Sequence, residues 1–329
     1  MTSPTLPAAR GELSAAVRAA VLGDDRPLQT SVTADPYGED LTLALHLCYE
    51  LHYRGFAEGL GDLEWSPELL RLRAAMERVF LDAVRADVAG GSDVSGELAR
   101  LLIETVPGSG VSHFLRDRGE AWQLREYFIH RSVYHLKEAD PHAWVIPRLR
   151  GRAKAALVAV EFDEFGGGRA ERMHSRLYAD LLADAGLEPV YWHYLDIVPA
   201  PAIAVVNLMS LFGLHRAHRG ALVGHFAAAE ITTAPSAARV VQAVDRLGFG
   251  PACRLFFSEH VEADAVHEQV MREDVIGGLL EDEPALAAEV VLGIQGTELL
   301  ESRLADHLVT SWQAGGTSLL VDRRVSVAE

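Results

Sequence analysis

Cysteine is nearly absent: Cys48 and Cys253 are the two thiols in 329 residues, and they lie far apart. That excludes a disulfide framework and a Cys-rich metal knuckle, and it makes a reducing, cytoplasmic compartment the expectation. An excess of positive charge is missing as well. The formal net charge is −17, a field that disfavours nucleic acid and anionic membranes but selects no substrate. The first ten residues, Met1 to Arg10, carry no apolar run behind a basic stretch, so no secretory signal is expected. Long apolar runs are also lacking. The most apolar stretch, about Ile197–Leu214, is broken by Pro199, Pro201 and Asn207, whereas a membrane span needs roughly 20 nearly unbroken apolar residues. It reads as a loop leading into a core helix. Strand-like alternation is scarce, with TSLLVDRRVSV near the end as the one candidate.

What is present is helical patterning with helix punctuation. The composition is 49% apolar, enough for a large buried core. Residues 1–38 read as an irregular lead-in with a short helix near Glu12–Leu22. A helix then starts at Glu39–Asp40 and runs to about Phe56. Another starts at Pro67 behind Ser66 and stops at Gly90–Gly91, and a third covers Gly96 to Thr105. Further helices are expected over Glu120–Glu138, where Pro141 ends the pattern, and over Arg148–Phe165 and Arg169–Ala185. A long helix over Leu208–Ile231 follows, then Ser236–Leu247, Pro251–Arg272 and Pro284–Leu308. The result is an all-α bundle with short connections.

One segment concentrates chemistry. In SEHVEADAVHEQV, His260, Asp264 and His267 are spaced by four and three residues, which puts them on one helix face. Two imidazoles and a carboxylate on one stripe suit a first-row transition metal. The plain alternative is a solvated polar face, because Glu259, Glu262 and Glu268 lie there too. A second segment, EFDEFGGGRAERMHSRLYADLL, holds Glu164 just before three glycines and His174 ten residues later. On one straight helix those two would not share a face, but the glycines permit a break that turns both towards one centre. Glu171 and His174 form a Glu-x-x-His pair of the ferritin-like spacing, and Glu171 is read as a decoy.

The run RSVYHLKEADPHAWVIPRLRGRAKAALVAVEFDEFGGGRAERMHSRLYADLL resembles the haem-oxygenase-like diiron oxidase superfamily, the iron-containing redox enzymes, over roughly residues 120–310. The resemblance implies an all-α, haem-oxygenase-like helical bundle with additional N-terminal helices: residues 1–110 as an extension packed on the core and 111–329 as the diiron domain. It implies metal ligands at Glu138, Glu164, His174, His260, Asp264 and His267. A further carboxylate at Glu230, which can swing onto iron, lies on the helix between. Glu138, Glu164 and Glu230 would be the catalytic carboxylates, and the cofactor two ferrous ions reacting with O2. One allocation gives one iron Glu138, His174 and His267 and the other His260 and Asp264, with Glu164 bridging; the sequence does not fix it. Four carboxylates against two divalent ions leave a centre near neutrality, as burial requires.

The activity implied is a diiron oxidase or oxygenase acting on a small amine-bearing or amino-acid substrate, by N-oxygenation, desaturation, C–C cleavage or C–H activation with cyclisation. Small-molecule substrate and O2 are the expected partners, with reducing equivalents from outside or from the substrate and a homodimer among the expected assemblies. The rival is a non-oxidative protein on the same scaffold, a thiaminase-type hydrolase or a ligand-binding protein. A hydrolase of that type needs a nucleophilic cysteine; Cys253 lies seven residues before His260 on the same face. On the helix read as ending at Glu138, Tyr134, Arg131 and Tyr127 share its face and are candidate substrate contacts. Arg131 would either anchor a substrate carboxylate or pair with a structural carboxylate of a neighbouring helix. His225, and His46 and His52 beside Glu50, read as packing residues.

Overall fold

Every regular element among the described residues is helical in the computed structural model, which describes residues 5–321 other than 25, 60, 105 and 107. The chain opens with α1 (Glu12–Val21), α2 (Glu39–Glu50), α3 (Pro67–Asp87) and α4 (Val94–Leu101). It continues through α5 (Val111–Asp117), α6 (Ala121–His135), the short α7 (Asp140–Ala143), α8 (Gly151–Glu164) and α9 (His174–Asp184). The last part comprises α10 (Ala200–Leu214), α11 (Arg219–Leu247), α12 (Pro251–Gln269), α13 (Gly277–Asp282) and α14 (Ala287–Gln313). The haem-oxygenase-like, all-α expectation holds. Thr317–Val321 is not a strand, and the rest of that candidate lies outside the described residues, as does Thr105. No single described helix is long and apolar enough to cross a membrane.

Local chemistry sets the ends. Ser66 caps α3 by accepting the Leu69 N–H, with Pro67 at the first helical position where its missing N–H costs nothing. Asp184, at the end of α9, accepts the N–H groups of Ala252 and Cys253 and so caps α12 from outside. That bond ties together the two helices that carry His174 and His260. After Gln269 the helix widens into a π-helical stretch, Val270–Ile276, packed on α8.

Several expected helices end elsewhere; the one expected to run to about Phe56 stops at Glu50. The single helix expected over Leu208–Ile231 is two, bent by 105° at residues 215–218. Arg148 donates to the carbonyls of Gly213 and Leu214, so a distant side chain satisfies the end of α10 and lets the chain turn. His215 and His218 therefore lie in the break rather than on the helix that carries Glu230. That helix runs on through Pro235 to Leu247, merging with the separate helix expected from Ser236. The helix expected over Glu120–Glu138 stops at His135, which leaves Glu138 on the turn that follows. The face shared by Tyr127, Arg131 and Tyr134 thus ends before Glu138.

The core is continuous from α1 to α14. Helices α11 and α14 cross almost backbone to backbone. A Cβ on Gly224 would lie 2.1 Å from the Val290 carbonyl oxygen, and one on Gly293 would lie 2.0 Å from that of Ala221. Only glycine fits at either point. Helix α2 is buried from Leu41 to Glu50 and packs on α10.

The N-terminal helices also grip the turn before Glu138. Lys137 and Glu50, both fully buried, form an ion pair at 3.5 Å, and Tyr191 donates to the same Glu50 oxygen at 2.8 Å. The Lys137 ammonium sits 4.2 Å from the Tyr53 ring, and Arg54 donates to the Leu136 carbonyl at 3.0 Å. Burial pulls Lys137 down and pushes Glu50 up, and each partner's charge opposes the other's shift. Lys137→Met should therefore lose about 3–5 kcal/mol in urea unfolding, because Glu50 is left buried and unpaired. The double variant Lys137→Met/Glu50→Leu should recover most of that loss. A single variant within about 1 kcal/mol of wild type would show that the pair does not hold this turn.

Candidate metal centre

Four buried carboxylates and three buried imidazoles converge at the middle of the bundle. They come from the turn after α6, the end of α8, the start of α9, the middle of α11 and the inner face of α12. Glu138, His174 and His260 bring ligand atoms within 4.8 Å of one another, and so do Glu164, Glu230, Asp264 and His267. All seven sequence-predicted ligand positions thus meet, but in a different partition. His260 stands with Glu138 and His174, and His267 stands with Glu164 and Asp264. The reason is the turn after α6, which brings Glu138 to within 3.9 Å of His260 Nε2.

The glycine run explains how Glu164 and His174 meet. Gly166 has φ 74°, and a Cβ there would lie 2.6 Å from the Arg172 carbonyl carbon. The chain folds back so tightly that His174 Nδ1 ends 2.7 Å from Glu164 Oε2. The other oxygen of Glu164 is 3.7 Å from His267 Nδ1, so this carboxylate spans both groups. Glu171 is exposed on the return segment and takes no part.

The donor set fits a pair of first-row metal ions. His260 donates its Nδ1–H to the Phe256 carbonyl at 2.7 Å, which orients the ring and turns Nε2 towards the cluster. That Nε2 has no hydrogen-bond partner, nor does His174 Nδ1, whose contact with Glu164 is out of line for one. Buried imidazole nitrogens without partners, set among carboxylates, are what a metal would satisfy. His267 places Nδ1 3.0 Å from Glu230 Oε2, while its Nε2 lies 3.2 Å from Asp163 Oδ2.

Sequence reasoning missed the supporting residues. His135 holds Glu138 Oε2 at 2.8 Å, and Asp163 orients His267; the Asp of the Asp-Glu-aromatic-Gly run was the available signal for the latter. Glu161, three residues before Glu164, is buried with neither oxygen bonded, and burial together with Glu164 and Glu230 pushes it up to about 9. One turn of helix before a predicted ligand was the signal for it.

Beside the cluster lies a cavity of about 420 Å³. Tyr127, Arg131 and Tyr134 line it, as expected, although Arg131 is not free. Both arms of its guanidinium bind Glu301 at 2.7 Å, so it pairs with a neighbouring helix and the carboxylate anchor is corrected to an ion pair in the wall. His46 and His52 do serve packing, stacked on Trp192 and bonded to Arg73 respectively. Cys48 and Cys253 are both buried and pushed up to about 12 by that burial, and neither lines the cavity, so no reactive thiolate stands where a hydrolase would need one.

Comparison with known proteins agrees with this geometry. The family described as iron-containing redox enzyme matches residues 125–301, just over half of the chain. The chain belongs to the iron-containing redox enzymes. All seven converging carboxylates and histidines lie within the matched residues. A curated relative, a nitrosourea synthase from Streptomyces achromogenes subsp. streptozoticus, is 24% identical over 222 residues. That alignment spans 67% of this redox enzyme but only 44% of the relative, less than half of its length.

The electrostatics of the metal-free chain give a pH dependence. Burial lowers His260 and His267, but Glu138 and Asp264 around the first, and Glu230 beside the second, overcome it and hold them at about 10 and about 9. Asp264 is pushed up to about 9 by burial, with Glu230 adding to it. The folded metal-free chain thus binds more protons than the unfolded one. The imidazole contribution to its stability is full below about pH 6.5 and is lost as pH rises through 9 and 10. The carboxyl contribution fades earlier, from about pH 4 upward. Metal binding must displace these protons. The difference in Tm between Fe(II)-loaded and metal-free chain should therefore widen from pH 6 to pH 9, with proton release on loading. A constant difference without proton release would contradict the assignment.

Proposed function

We propose that this chain is a non-haem diiron oxidase or oxygenase that uses O2 on a small amine-bearing or amino-acid substrate, in a biosynthetic, cytoplasmic setting. The observation that carries the reading is the convergence of two ligand groups joined by Glu164. Glu138, His174 and His260 would hold one ion, and Glu164, Glu230, Asp264 and His267 the other. Bound ferrous iron supplies electrons and open coordination positions for O2. The family supports iron, and the two free thiols support a reducing compartment. The relative's name points to nitrogen chemistry, which favours an amine substrate and N-oxygenation over desaturation, C–C cleavage or cyclisation.

The chain's own residues prepare the site. The Phe256 carbonyl holds the His260 Nδ1 proton, so Nε2 is the nitrogen that would meet a metal once its proton is displaced. His135 and Asp163 fix the directions of Glu138 and His267. At neutral pH Glu161 is a neutral acid, so it holds a proton on its carboxyl oxygens one turn from Glu164. Phe226, Phe256 and Phe257 give the adjoining cavity part of its apolar wall. Electrons beyond those of the substrate would come from an external donor.

Anaerobic titration with Fe(II) should saturate at about two ions per chain. Exposure of the loaded chain to O2 with a panel of amino acids and amines should give an absorbance transient that depends on one substrate class. Glu164→Ala should lose both iron and turnover, whereas Glu171→Ala should keep both. Saturation at one ion that His260→Ala leaves unchanged, or the reverse pattern for the two glutamates, would overturn the reading.

A further inference from the structure

The cavity beside the carboxylate cluster has a polar end that the metal chemistry does not use. His142 and His225 both line it, with ring centroids 5.2 Å apart, and both are almost wholly buried. Neither imidazole has a partner for its Nε2. Phe226 stacks on His142 at 4.1 Å and holds that ring flat, with its Nδ1 3.4 Å from the Tyr134 hydroxyl.

The proton on His225 can be placed. Thr297 Oγ1 is 2.7 Å from the Gly293 carbonyl oxygen and 2.7 Å from His225 Nδ1. A hydroxyl has one proton, and a carbonyl can only accept. Thr297 therefore donates to Gly293 and accepts from His225, so Nδ1 carries the imidazole proton. Nε2 is then a bare lone pair, buried and unpartnered. Burial keeps the ring neutral, with its pKa lowered to about 4.

The guanidinium charges around this end are paired. Both terminal nitrogens of Arg131 bind Glu301, and Arg239, the other guanidinium in the lining, is held by Glu104 at 2.6 Å and by Ser112 at 3.0 Å. The charge of each guanidinium is thus already balanced by a carboxylate. An unpartnered acceptor remains at His225 Nε2.

We propose that His225 is the specificity-determining residue of the cavity, accepting through Nε2 an N–H of the substrate's amine. This rests on the reading of the cavity as a substrate site and deepens it: the wall recognises the amine end and turns carboxylates away. The same arrangement explains why Arg131 needs its partner. Without Glu301 the wall would be cationic and select anions.

The test uses the full metal-free chain, so it is independent of iron loading. Nitrogen-15 NMR of the histidines should show His225 as the Nδ1–H tautomer from pH 6 to 8, identified by loss of its signals in the variants. Pentylamine should shift the His225 Nε2 resonance, and pentanoate should not bind there. His225→Phe should weaken pentylamine binding by about tenfold or more. His225→Gln, which carries an amide oxygen near the Nε2 position, should stay within about threefold of wild type. An Nε2–H tautomer, pentanoate binding as tight as pentylamine, or His225→Phe binding unchanged in a folded protein would each overturn the proposal. If His225→Phe does not fold, the tautomer and the glutamine variant decide. A chain that takes up two irons yet fails this test leaves the diiron reading standing and removes the amine contact alone.

Discussion

Four carboxylates facing one another in the middle of an apolar bundle are the constraint that organises this protein. Glu138, Glu164, Glu230 and Asp264 are all nearly inaccessible to water. Buried like charges of this kind cannot all stay ionised without compensation. In the metal-free chain compensation comes from protons: His260 and His267 are held cationic, and Asp264 and Glu161 are held neutral. Two divalent cations would balance the four carboxylates directly and release the imidazoles to act as ligands. The centre is thus a site whose protonation stands in for metal.

Much of the surrounding fold exists to keep those groups from relaxing apart. The backbone contact at Gly224 and Gly293 fixes α11, and with it Glu230, against α14. Asp184 binds the start of α12 to the end of α9, which holds His260 near His174. The buried Lys137–Glu50 pair pins the residue before Glu138 to α2, outside the family-matched region. That pair gives the N-terminal helices a physical part in positioning a ligand they do not supply.

Part of the candidate ligand set was legible from periodicity and the glycine run, while Glu138 and Glu230 rested on the family resemblance alone. His260, Asp264 and His267 share a face on any helix, and the glycines after Glu164 announced a reversal that Gly166 provides. What the sequence concealed depended on partners far along the chain. Nothing in HLKEAD marks the end of α6 at His135; Arg54 and Glu50, more than eighty residues earlier, stabilise the turn. The break after α10 is capped by Arg148, some sixty-five residues before it. The first of these turns sets Glu138 beside His260, so the grouping of candidate ligands was beyond the reach of spacing. Arg131 shows the same limit. Its place on the cavity wall followed from helical counting, but its partner Glu301 lies 170 residues away.

The central claim is that two ions sit in two defined ligand groups joined by Glu164. Diffraction from crystals loaded anaerobically with Fe(II), recorded on both sides of the iron absorption edge, tests it most directly. Two anomalous peaks are predicted, one among Glu138, His174 and His260 and one among Glu164, Glu230, Asp264 and His267. A single peak at full loading, or peaks away from these seven side chains, would contradict the account.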